Sequence, residues 1–491
     1  MGLQDSAVSP ASGDPKDSAG SLDSGDSKYS AGSLCSLDSG SSQDSAGSPD
    51  SGCPQDSGDI EMGNQSTLCV ASIKRKLYSQ GSQNSSPSLN PRYCIYRVHQ
   101  RIRQFNKDAY TPDMVSIGPY HRPDHPNTNL EAMEKHKLKY LRAVLDRTKK
   151  TTSLEKYVEA LEKLEPKARK CYSETIKLDK KQFIEMLIID GFFILELFRK
   201  NKKIVPIDKN DPIFNSTSIT ARVVRDLVLL ENQIPMSVLQ TLFDLSKNPE
   251  PDSPTLIEMA LLFFDTLIPN AWIKYPKNNS TVTHEHLVDL LRYTLSASLP
   301  TPSSISAFST VQESLPSAME LHRSGVMFKM ARPYDSLIHI KFDNGVFEIP
   351  QLTIHDHTGS FFHNLIAYEQ HYYAGTPYIT AYAILMYNLV DSADDVVFLR
   401  RQKIITNQLT NDHKVTAFFS NLCHGISSNG FYYLEVCDKV NDYYKLPYRQ
   451  WKADLKRIWS TNAWTIISVA AAILLLLLTL WSTVIISIPY F

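Results

Sequence analysis

The sequence lacks the short motifs that mark several common enzyme classes. It contains no G-x-x-x-x-G-K-[ST] phosphate loop and no G-x-G-x-x-G dinucleotide fingerprint. The stretch His284-Glu-His286 is not a zinc-protease motif, because H-E-x-x-H requires histidine where Val288 stands. Ser427 lacks the closing glycine of a nucleophile elbow, since position 429 is asparagine. The sequence therefore gives no support to an NTPase, a dinucleotide enzyme, a zinc protease or a serine hydrolase.

Cysteine is scarce and follows no metal-binding pattern. The chain has seven cysteines, an odd number, and none of them forms a C-x-x-C pair. This favours reduced thiols in the cytosol and argues against a disulfide scaffold or a zinc ribbon. The N-terminus also lacks a positive region followed by an apolar region, so we expect no secretory signal peptide.

The charge pattern argues against a nucleic-acid-binding protein. Basic clusters such as residues 199–203 have no interleaved aromatic residues and match no nucleic-acid motif. The net charge of −1 conceals an asymmetry, because residues 1–64 carry a net charge of −9 and the remainder carries +8. A mildly basic body suits the anionic surface of a membrane, although a solvated surface without a partner fits equally well.

The C-terminus carries a long run of apolar residues. Residues 464–488 contain no charge and no proline. About 25 helical residues at about 1.5 Å each exceed the roughly 30 Å hydrocarbon core of a bilayer. The alternative is a buried core helix, but such helices rarely run this long without a charged residue. The sequence therefore predicts a single transmembrane helix over residues 464–488, with the lipid bilayer as its partner.

The residues that flank this run predict its orientation. Lys452, Lys456 and Arg457 precede it, and only three residues follow it. Positive charges remain on the cytoplasmic side, so we expect a tail-anchored protein whose body lies in the cytoplasm, at the plasma membrane or an endomembrane. A lumenal body would carry glycans on some of five N-x-S/T sequons, at Asn64, Asn84, Asn215, Asn278 and Asn279.

The first 89 residues form a low-complexity N-terminal tail. Units such as Asp-Ser-Ala-Gly-Ser and Ser-Leu-Asp-Ser-Gly recur with almost no branched or aromatic side chains. Such a segment cannot bury enough apolar surface to offset its ordering entropy, so it is predicted to be disordered. The predicted organisation is a disordered tail at 1–89, a helical domain at 90–458 and the transmembrane helix at 464–488.

The body has a hydrophobic period typical of helices. The fold class is therefore mainly α, with one small β-hairpin at residues 338–349 around Asp343-Asn344-Gly345. A helix apolar on nearly all sides at 179–199 marks the core. The other predicted helices start at Leu130 or cover 154–174 (strained or broken at Pro166), 226–234, 236–245, 255–267, 284–295, 319–324, 361–373, 380–390, 394–405, 414–422 and a last stretch from about 438.

Several blocks of sequence resemble a known family. They are AYTPDMVSIGPYH at 109–121, MEKHK at 133–137, DGFFILE at 190–196, DLVLLENQIP at 226–235, FDNGV at 342–346 and NLIAYEQ at 364–370. The chain from about Cys94 onward resembles the plant domain-of-unknown-function 247 family, also named uncharacterised protein family 0481. Gly359 departs from the acidic residue expected there. The resemblance implies a largely helical cytoplasmic body with a C-terminal membrane anchor, and some relatives are associated with pollen self-incompatibility in grasses. It supplies no catalytic residues.

A histidine-rich stretch is the densest group of potential metal ligands. It contains His355, Asp356, His357, His363, Glu369 and His371. H-x-H can bind zinc or iron when a third ligand approaches. Residues 363 and 369 are six apart, however, and therefore point to different sides of a helix. Ordinary loop and surface histidines are the alternative interpretation.

Three carboxylates are candidates for burial. Asp190 and Glu196 lie in the apolar helix, and Glu231 precedes Asn232 and Gln233. They are either perturbed groups of an active site or braces that satisfy backbone donors around Pro235.

The leading hypothesis is a membrane-tethered protein-interaction or recognition module without enzymatic activity. The surfaces expected to meet a protein partner are the loops at 110–121 and 301–317. We assign no catalytic, cofactor-binding or metal-binding residues and expect no cofactor and no nucleic-acid partner. The alternative is a metal-dependent hydrolase that uses the His355–His371 region.

Overall fold

The computed structural model describes most of the chain from residue 93 onward. The described residues are 70, 72–75, 93–122, 128–247, 253–269, 283–301, 315–332, 336–371, 375–427, 430–445 and 463–487. The chain divides into two units, Met1–Pro87 and Ser88–Phe491. The predicted disorder of residues 1–89 falls almost entirely outside the described residues.

The body is mainly helical, as the sequence predicts. A short 3₁₀ turn at Lys107–Tyr110 follows its first helix. The α-helices are α1 Gln100–Arg103, α2 Thr128–Thr148, α3 Leu154–Arg169, α4 Lys180–Asn201, α5 Thr217–Asp226, α6 Met236–Ser246, α7 Leu256–Phe263, α8 Leu287–Ser296, α9 Ala318–Arg323, α10 Thr358–His371, α11 Tyr378–Leu389, α12 Ala393–Arg401, α13 Asp412–Leu422, α14 Leu434–Tyr444 and α15 Ala463–Ser487.

Helix α4 is the centre of the body. It begins at a capping box, in which Gln182 N donates to Asp179 Oδ1 at 2.8 Å and Asp179 N donates to Gln182 Oε1 at 3.2 Å. From Phe183 to Lys200 nearly every side chain is buried, and the helix packs against α2, α3, α6 and α7. A helix that is apolar on all sides is stable only when other elements enclose it. The core helix predicted at 179–199 is thereby confirmed.

The segment before Pro235 is not helical, so the helix predicted at 226–234 is wrong. Helix α5 ends where that prediction begins, and buried irregular turns follow it. Leu230 N donates to Asn364 Oδ1 at 2.8 Å, and Gln233 Nε2 donates to the carbonyl oxygen of Leu227 at 2.8 Å. Side-chain amides therefore satisfy backbone N–H and C=O groups that a helix would have paired with each other. The apolar residues of this segment indicate burial, not a helix.

A three-stranded sheet contains the predicted hairpin. Its strands are β1 Met327–Met330, β2 Lys341–Asp343 and β3 Val346–Ile349, in the order β1-β3-β2. Strands β2 and β3 are antiparallel, and their turn residues Asn344 and Gly345 have φ angles of 48° and 80°. Two successive positive φ angles are typical of a type I′ turn. The hairpin is confirmed.

Three further strands escape sequence analysis. Strand β1 pairs in parallel with β3, and β4 Leu352–Ile354 pairs in parallel with β5 Ile405–Asn407. Strands of three or four residues that no recognisable turn joins show too little alternation to be recognised.

Several predicted helices differ from the observed ones at their ends. Those predicted at 255–267 and 394–405 already end at Phe263 and Arg401. Helix α3 contains Pro166 and continues past it to Arg169, so the proline does not break the helix. The helix ends before the predicted residue 174. Pro166 has no N–H to donate to the carbonyl oxygen four residues earlier, so the last turn of the helix lacks that hydrogen bond. Helix α14 starts at Leu434, before the predicted residue 438, and residues 446–462 lie outside the described part of the chain.

Helix α15 coincides with the apolar C-terminal run. Within it, Ile467–Ile485 has a mean hydropathy of 2.3 over 19 residues, and none of this stretch is buried. Among the described residues it is the one helix whose length and composition would allow it to cross a membrane.

Gly118 and Gly359 form a matched pair for substitution. Gly118 has a φ of 75°, and an added Cβ would lie 2.4 Å from the carbonyl oxygen of Gln233. Gly118→Ala is expected to destabilise the fold by at least about 1–3 kcal/mol, the cost of backbone strain alone. Gly359 lies in α10, and the nearest atom to an added Cβ is 4.0 Å away, on Phe418. Gly359→Ala is expected to stabilise the fold by about 0.5–1 kcal/mol. Urea unfolding of the full chain in detergent measures both; equal midpoints would contradict the close approach at Gly118.

Candidate functional site

The candidate ligands His355 and His357 lie on the loop between β4 and α10. Both are partly buried, and their ring centroids are 6.3 Å apart. His355 N donates to Thr358 Oγ1 at 3.0 Å, which ties this loop to the start of the helix. Asp356 is exposed. Burial lowers the pKa of His357, which favours its neutral form.

His363 faces the body and has contacts of its own. Its Nδ1 atom lies 3.4 Å from Tyr110 Oη, and its Nε2 atom lies 3.5 Å from Asn106 Nδ2. Burial lowers the pKa of His363 to about 4. The imidazole is therefore neutral at physiological pH and packs α10 against the 3₁₀ turn.

Glu369 joins α10 to α11. Its carboxylate accepts hydrogen bonds from Ile379 N at 3.0 Å and Thr380 N at 2.8 Å, and Arg292 Nε lies 3.2 Å away. Burial raises the pKa of Glu369, against the opposing effect of Arg292 and these bonds. The carboxylate is a cap for the N-terminus of α11. His371 Nδ1 bonds to a carbonyl oxygen of its own helix at 2.7 Å.

The candidate ligands therefore do not converge. In the part of the chain that the structure describes, no group of three or more His, Cys, Asp or Glu side chains could hold a metal ion. The geometry gives no support to a metal-dependent hydrolase centred on His355–His371. His286, from the stretch His284-Glu-His286, is buried with Nε2 2.9 Å from the carbonyl oxygen of Cys94.

Asp190 and Lys137 form a buried ion pair. Lys137 Nζ lies 2.7 Å from Asp190 Oδ1, and Gly118 N donates to Asp190 Oδ2 at 2.9 Å. Lys137 also donates to Glu134 at 2.6 Å and to the carbonyl oxygen of Ser116, and it is 1% exposed. Helix α4, helix α2 and the irregular segment around Gly118 thus meet at one carboxylate.

Asp226 holds three successive residues of that irregular segment. Its Oδ2 atom accepts hydrogen bonds from the N–H groups of Asp113, Met114 and Val115 at 3.0, 2.6 and 3.0 Å. Arg225 Nη1 lies 2.7 Å from Oδ1. Burial raises the pKa of Asp226, and the three backbone bonds and Arg225 oppose that rise. The carboxylate serves donors that no strand or helix satisfies.

Two amides complete the hydrogen bonding. Ile117 N donates to Asn232 Oδ1 at 2.7 Å, and Asn232 Nδ2 donates to the carbonyl oxygen of Val115 at 2.9 Å. Leu287 N donates to Gln233 Oε1 at 3.1 Å. Asn232 and Gln233 therefore link the turns after α5 to the segment before α2 and to α8.

Glu231 is surrounded by three basic side chains and one backbone N–H group. Val98 N donates to it at 2.7 Å, Arg97 Nη1 lies 3.0 Å away, Arg103 makes a second ion pair, and His121 Nε2 lies at 3.2 Å. Burial alone would raise the pKa of Glu231, but the bonds from His121, Arg103 and Val98 outweigh it and hold the pKa at about 2. Glu231 is ionised at neutral pH and anchors the first residues of the body.

The buried carboxylates fit the bracing interpretation. Glu196 accepts hydrogen bonds from Arg147 at 2.5 and 3.1 Å and from Arg199 at 3.0 Å. Each of Asp190, Glu196 and Glu231 is occupied by backbone N–H groups or cations of the chain itself. A carboxylate that braces the fold in this way has little capacity left for a substrate.

The two predicted partner-binding loops have different outcomes. The centre of the loop at 110–121 is buried, with Val115, Ile117 and Gly118 held by the side chains described above. The prediction that it presents a surface is therefore wrong for residues 115–118. The loop at 301–317 lies outside the described residues except at 301 and 315–317.

Some bracing residues were missed in the sequence. Ser317 Oγ and Met319 N donate to Asp395 Oδ1, both at 2.8 Å, and Ser392 N donates to Asp395 Oδ2 at 3.0 Å. The pattern S-x-x-D at 392–395 was an available capping-box signal. Arg97 and Arg103 gave no such signal, because they precede Glu231 by 134 and 128 residues.

The chain is similar to a family of plant proteins and to two proteins of Arabidopsis thaliana. A sequence profile described as "Plant protein of unknown function", DUF247, matches residues 95–478. The chain is 31% identical over 420 residues to UPF0481 protein At3g47200 of Arabidopsis thaliana, covering 81% of this chain and 87% of the relative. It is 24% identical over 481 residues to the UPF0481 protein At3g02645 of the same plant, covering 78% and 88%. No solved structure matches the chain.

Two aspartates that each pair with a lysine allow a matched test of burial. Asp190→Ala leaves Lys137 buried without its main counter-charge and is expected to destabilise the fold by about 3–5 kcal/mol. Asp208→Ala removes an exposed pair with Lys139, at 2.9 Å, and is expected to leave the unfolding midpoint almost unchanged. Chemical unfolding of the full chain in detergent measures both variants. Similar losses from the two would show that the buried pair does not brace the fold.

Proposed function

Because this chain belongs to DUF247, a family of plant proteins of unknown function, we propose that it is a membrane-tethered protein-interaction module of a plant cell. The observation that carries the proposal is the exposed apolar stretch Ile467–Ile485. Its five successive leucines, 474–478, are 55–63% exposed. Such a surface is unfavourable in water and favourable in the hydrocarbon of a bilayer.

The proposed orientation has the body in the cytoplasm and the helix as a tail anchor. The sequence before the helix carries Lys452, Lys456 and Arg457. Positive charge is retained on the cytoplasmic side of a membrane, so these residues support a cytoplasmic body.

An exposed strand supports the proposal of a protein partner. Strand β1 is at one edge of its three-stranded sheet, and among the described residues it pairs with β3 alone. Met327 and Met330 are 52% and 42% exposed. Strand edges with exposed apolar side chains can accept an extended segment of another protein as an additional strand.

The charges beside this edge favour an acidic segment. Lys329 and Lys341 both pair in register with Glu348, so two lysines flank one glutamate across the sheet. All three side chains are exposed. An incoming strand next to Lys329 would gain from a carboxylate opposite it. We therefore propose a partner that offers an extended, acidic segment with apolar residues for Met327 and Met330.

The proposed topology predicts where glycans will be found. A sequon appended after Phe491 is expected to be glycosylated, and the exposed native sequon at Asn215 is expected to remain unmodified. Glycosidase-sensitive mobility of the full chain measures both, and Asn215→Gln is the control for the native site. A glycan on Asn215, or release of the chain from membranes by alkaline carbonate without detergent, would contradict the topology.

The proposed edge predicts which substitution abolishes the interaction. The double variant Met327→Glu, Met330→Glu is expected to reduce labelling of the partner at least fivefold in proximity labelling from the full chain in plant cells. A negative charge at both positions disfavours the acidic segment. Leu138→Glu, at a site in α2 that is 53% exposed, is the control and should leave the labelled proteins unchanged. The same labelled set from both variants would rule out β1 as the binding edge.

A further inference from the structure

Two cysteines lie side by side where the body begins. Cys94 N and Ile95 N both donate to the carbonyl oxygen of Cys171 at 2.9 Å, and Ser173 N donates to Ile95 O at 3.0 Å. Ile95 and Tyr172 form an isolated parallel bridge, so Cys94 and Cys171 are neighbours in the same register. Adjacent strands are about 4.8 Å apart, which is within the Cα separation of roughly 4.4–6.8 Å that a disulfide spans.

The two cysteines are neighbours across the bridge, but their side chains differ in environment. Both are free, and Cys94 is buried whereas Cys171 is partly exposed. The neighbouring Cys94 side chain lowers the pKa of Cys171, whose Sγ also donates to the carbonyl oxygen of Lys167 at 3.5 Å. The neighbouring Cys171 side chain and burial together raise the pKa of Cys94. The accessible sulfur is therefore the better nucleophile, and the buried one retains its proton.

The other described cysteines lack this arrangement. Cys423 is partly exposed like Cys171, and Cys437 is buried like Cys94. Burial raises the pKa of each to about 12. Exposure alone therefore does not produce a reactive thiol in this body, and Cys423 is a natural internal control.

We propose that Cys94 and Cys171 form a reversible redox modification site whose oxidant is a hydroperoxide. The Cys171 thiolate attacks a peroxide oxygen, the O–O bond breaks, and the leaving hydroxide takes a proton to become water. Cys171 is then a sulfenic acid. The Cys94 sulfur attacks the Cys171 sulfur, the S–O bond breaks, and the Cys94 proton leaves with the hydroxide as a second water. The two thiols lose two electrons and the hydrogen peroxide that accepts them becomes two waters.

The disulfide would fix the first residues of the body to the segment that follows α3. The residues immediately after Cys94 include Arg97 and Val98, which bind Glu231. Closing the loop between residues 94 and 171 restricts the unfolded chain, so oxidation raises the stability of this anchor. Thiols in a reducing compartment form such bonds transiently, which suits a sensor of oxidants.

Mass spectrometry of the full chain in detergent tests the proposal directly. The chain is treated with stoichiometric hydrogen peroxide at pH 7, blocked with iodoacetamide and digested with trypsin. We expect peptides 93–97 and 171–177 to be joined and to separate after dithiothreitol, while Cys423 and Cys437 are alkylated. Without peroxide, Cys171 should react with iodoacetamide at least tenfold faster than Cys423.

The controls separate a built site from general oxidation. Cys171→Ser should abolish the joined peptides and Cys423→Ser should retain them, and the same chain in urea should lose the preference for this pair. Absence of the joined peptides in the wild-type chain overturns the proposal. So does Cys171 sulfinic acid accumulating beside alkylated Cys94, or oxidation of Cys423 as fast as that of Cys171. The primary result uses the wild-type chain and so does not depend on the folding of any variant.

Discussion

Irregular backbone in the interior of this protein must be satisfied by side chains. Residues 113–118 lie in the body without a strand or helix of their own, and their N–H groups need acceptors. Asp226, Asn232 and Asp190 provide those acceptors. Buried carboxylates are costly unless they are paired and hydrogen-bonded, so Asp226 and Asp190 also require cations or further donors. The arrangement of α2, α4 and the turns after α5 follows from this requirement.

This requirement also bears on function. Most of the polar residues that are candidates for a functional site in the sequence instead form hydrogen bonds and ion pairs that stabilise the fold. Glu231 is surrounded by Val98, two arginines and His121, and Glu369 caps α11. Recognition by such a body would depend on its surface, where β1 exposes methionines at a sheet edge. The redox pair at Cys94 and Cys171 lies instead close to the residues that Glu231 anchors, and it concerns the stability of the body rather than its binding edge.

Prediction from sequence succeeded where the signal is local. The hairpin at Asn344-Gly345 depends on two residues that tolerate positive φ, and α4 depends on a capping residue and an apolar sequence. It failed at 226–234, because an apolar run next to Pro235 is compatible with either a helix or buried turns. The decisive contact is Asn364, more than 130 residues away from Leu230. The alternative of a metal site in the histidine-rich stretch finds no support, since these neighbours in sequence diverge in space.

The mainly helical class, the core helix and the apolar C-terminal helix can be predicted from local sequence, because periodicity, capping and hydropathy are properties of adjacent residues. Which buried charges meet depends on the packing of the folded chain. Lys137 pairs with Asp190 across 53 residues, and Cys94 meets Cys171 through a short parallel bridge. Such pairs depend on how helices pack and on which backbone donors remain unsatisfied. Those quantities arise from the whole chain, so no local pattern of residues encodes them.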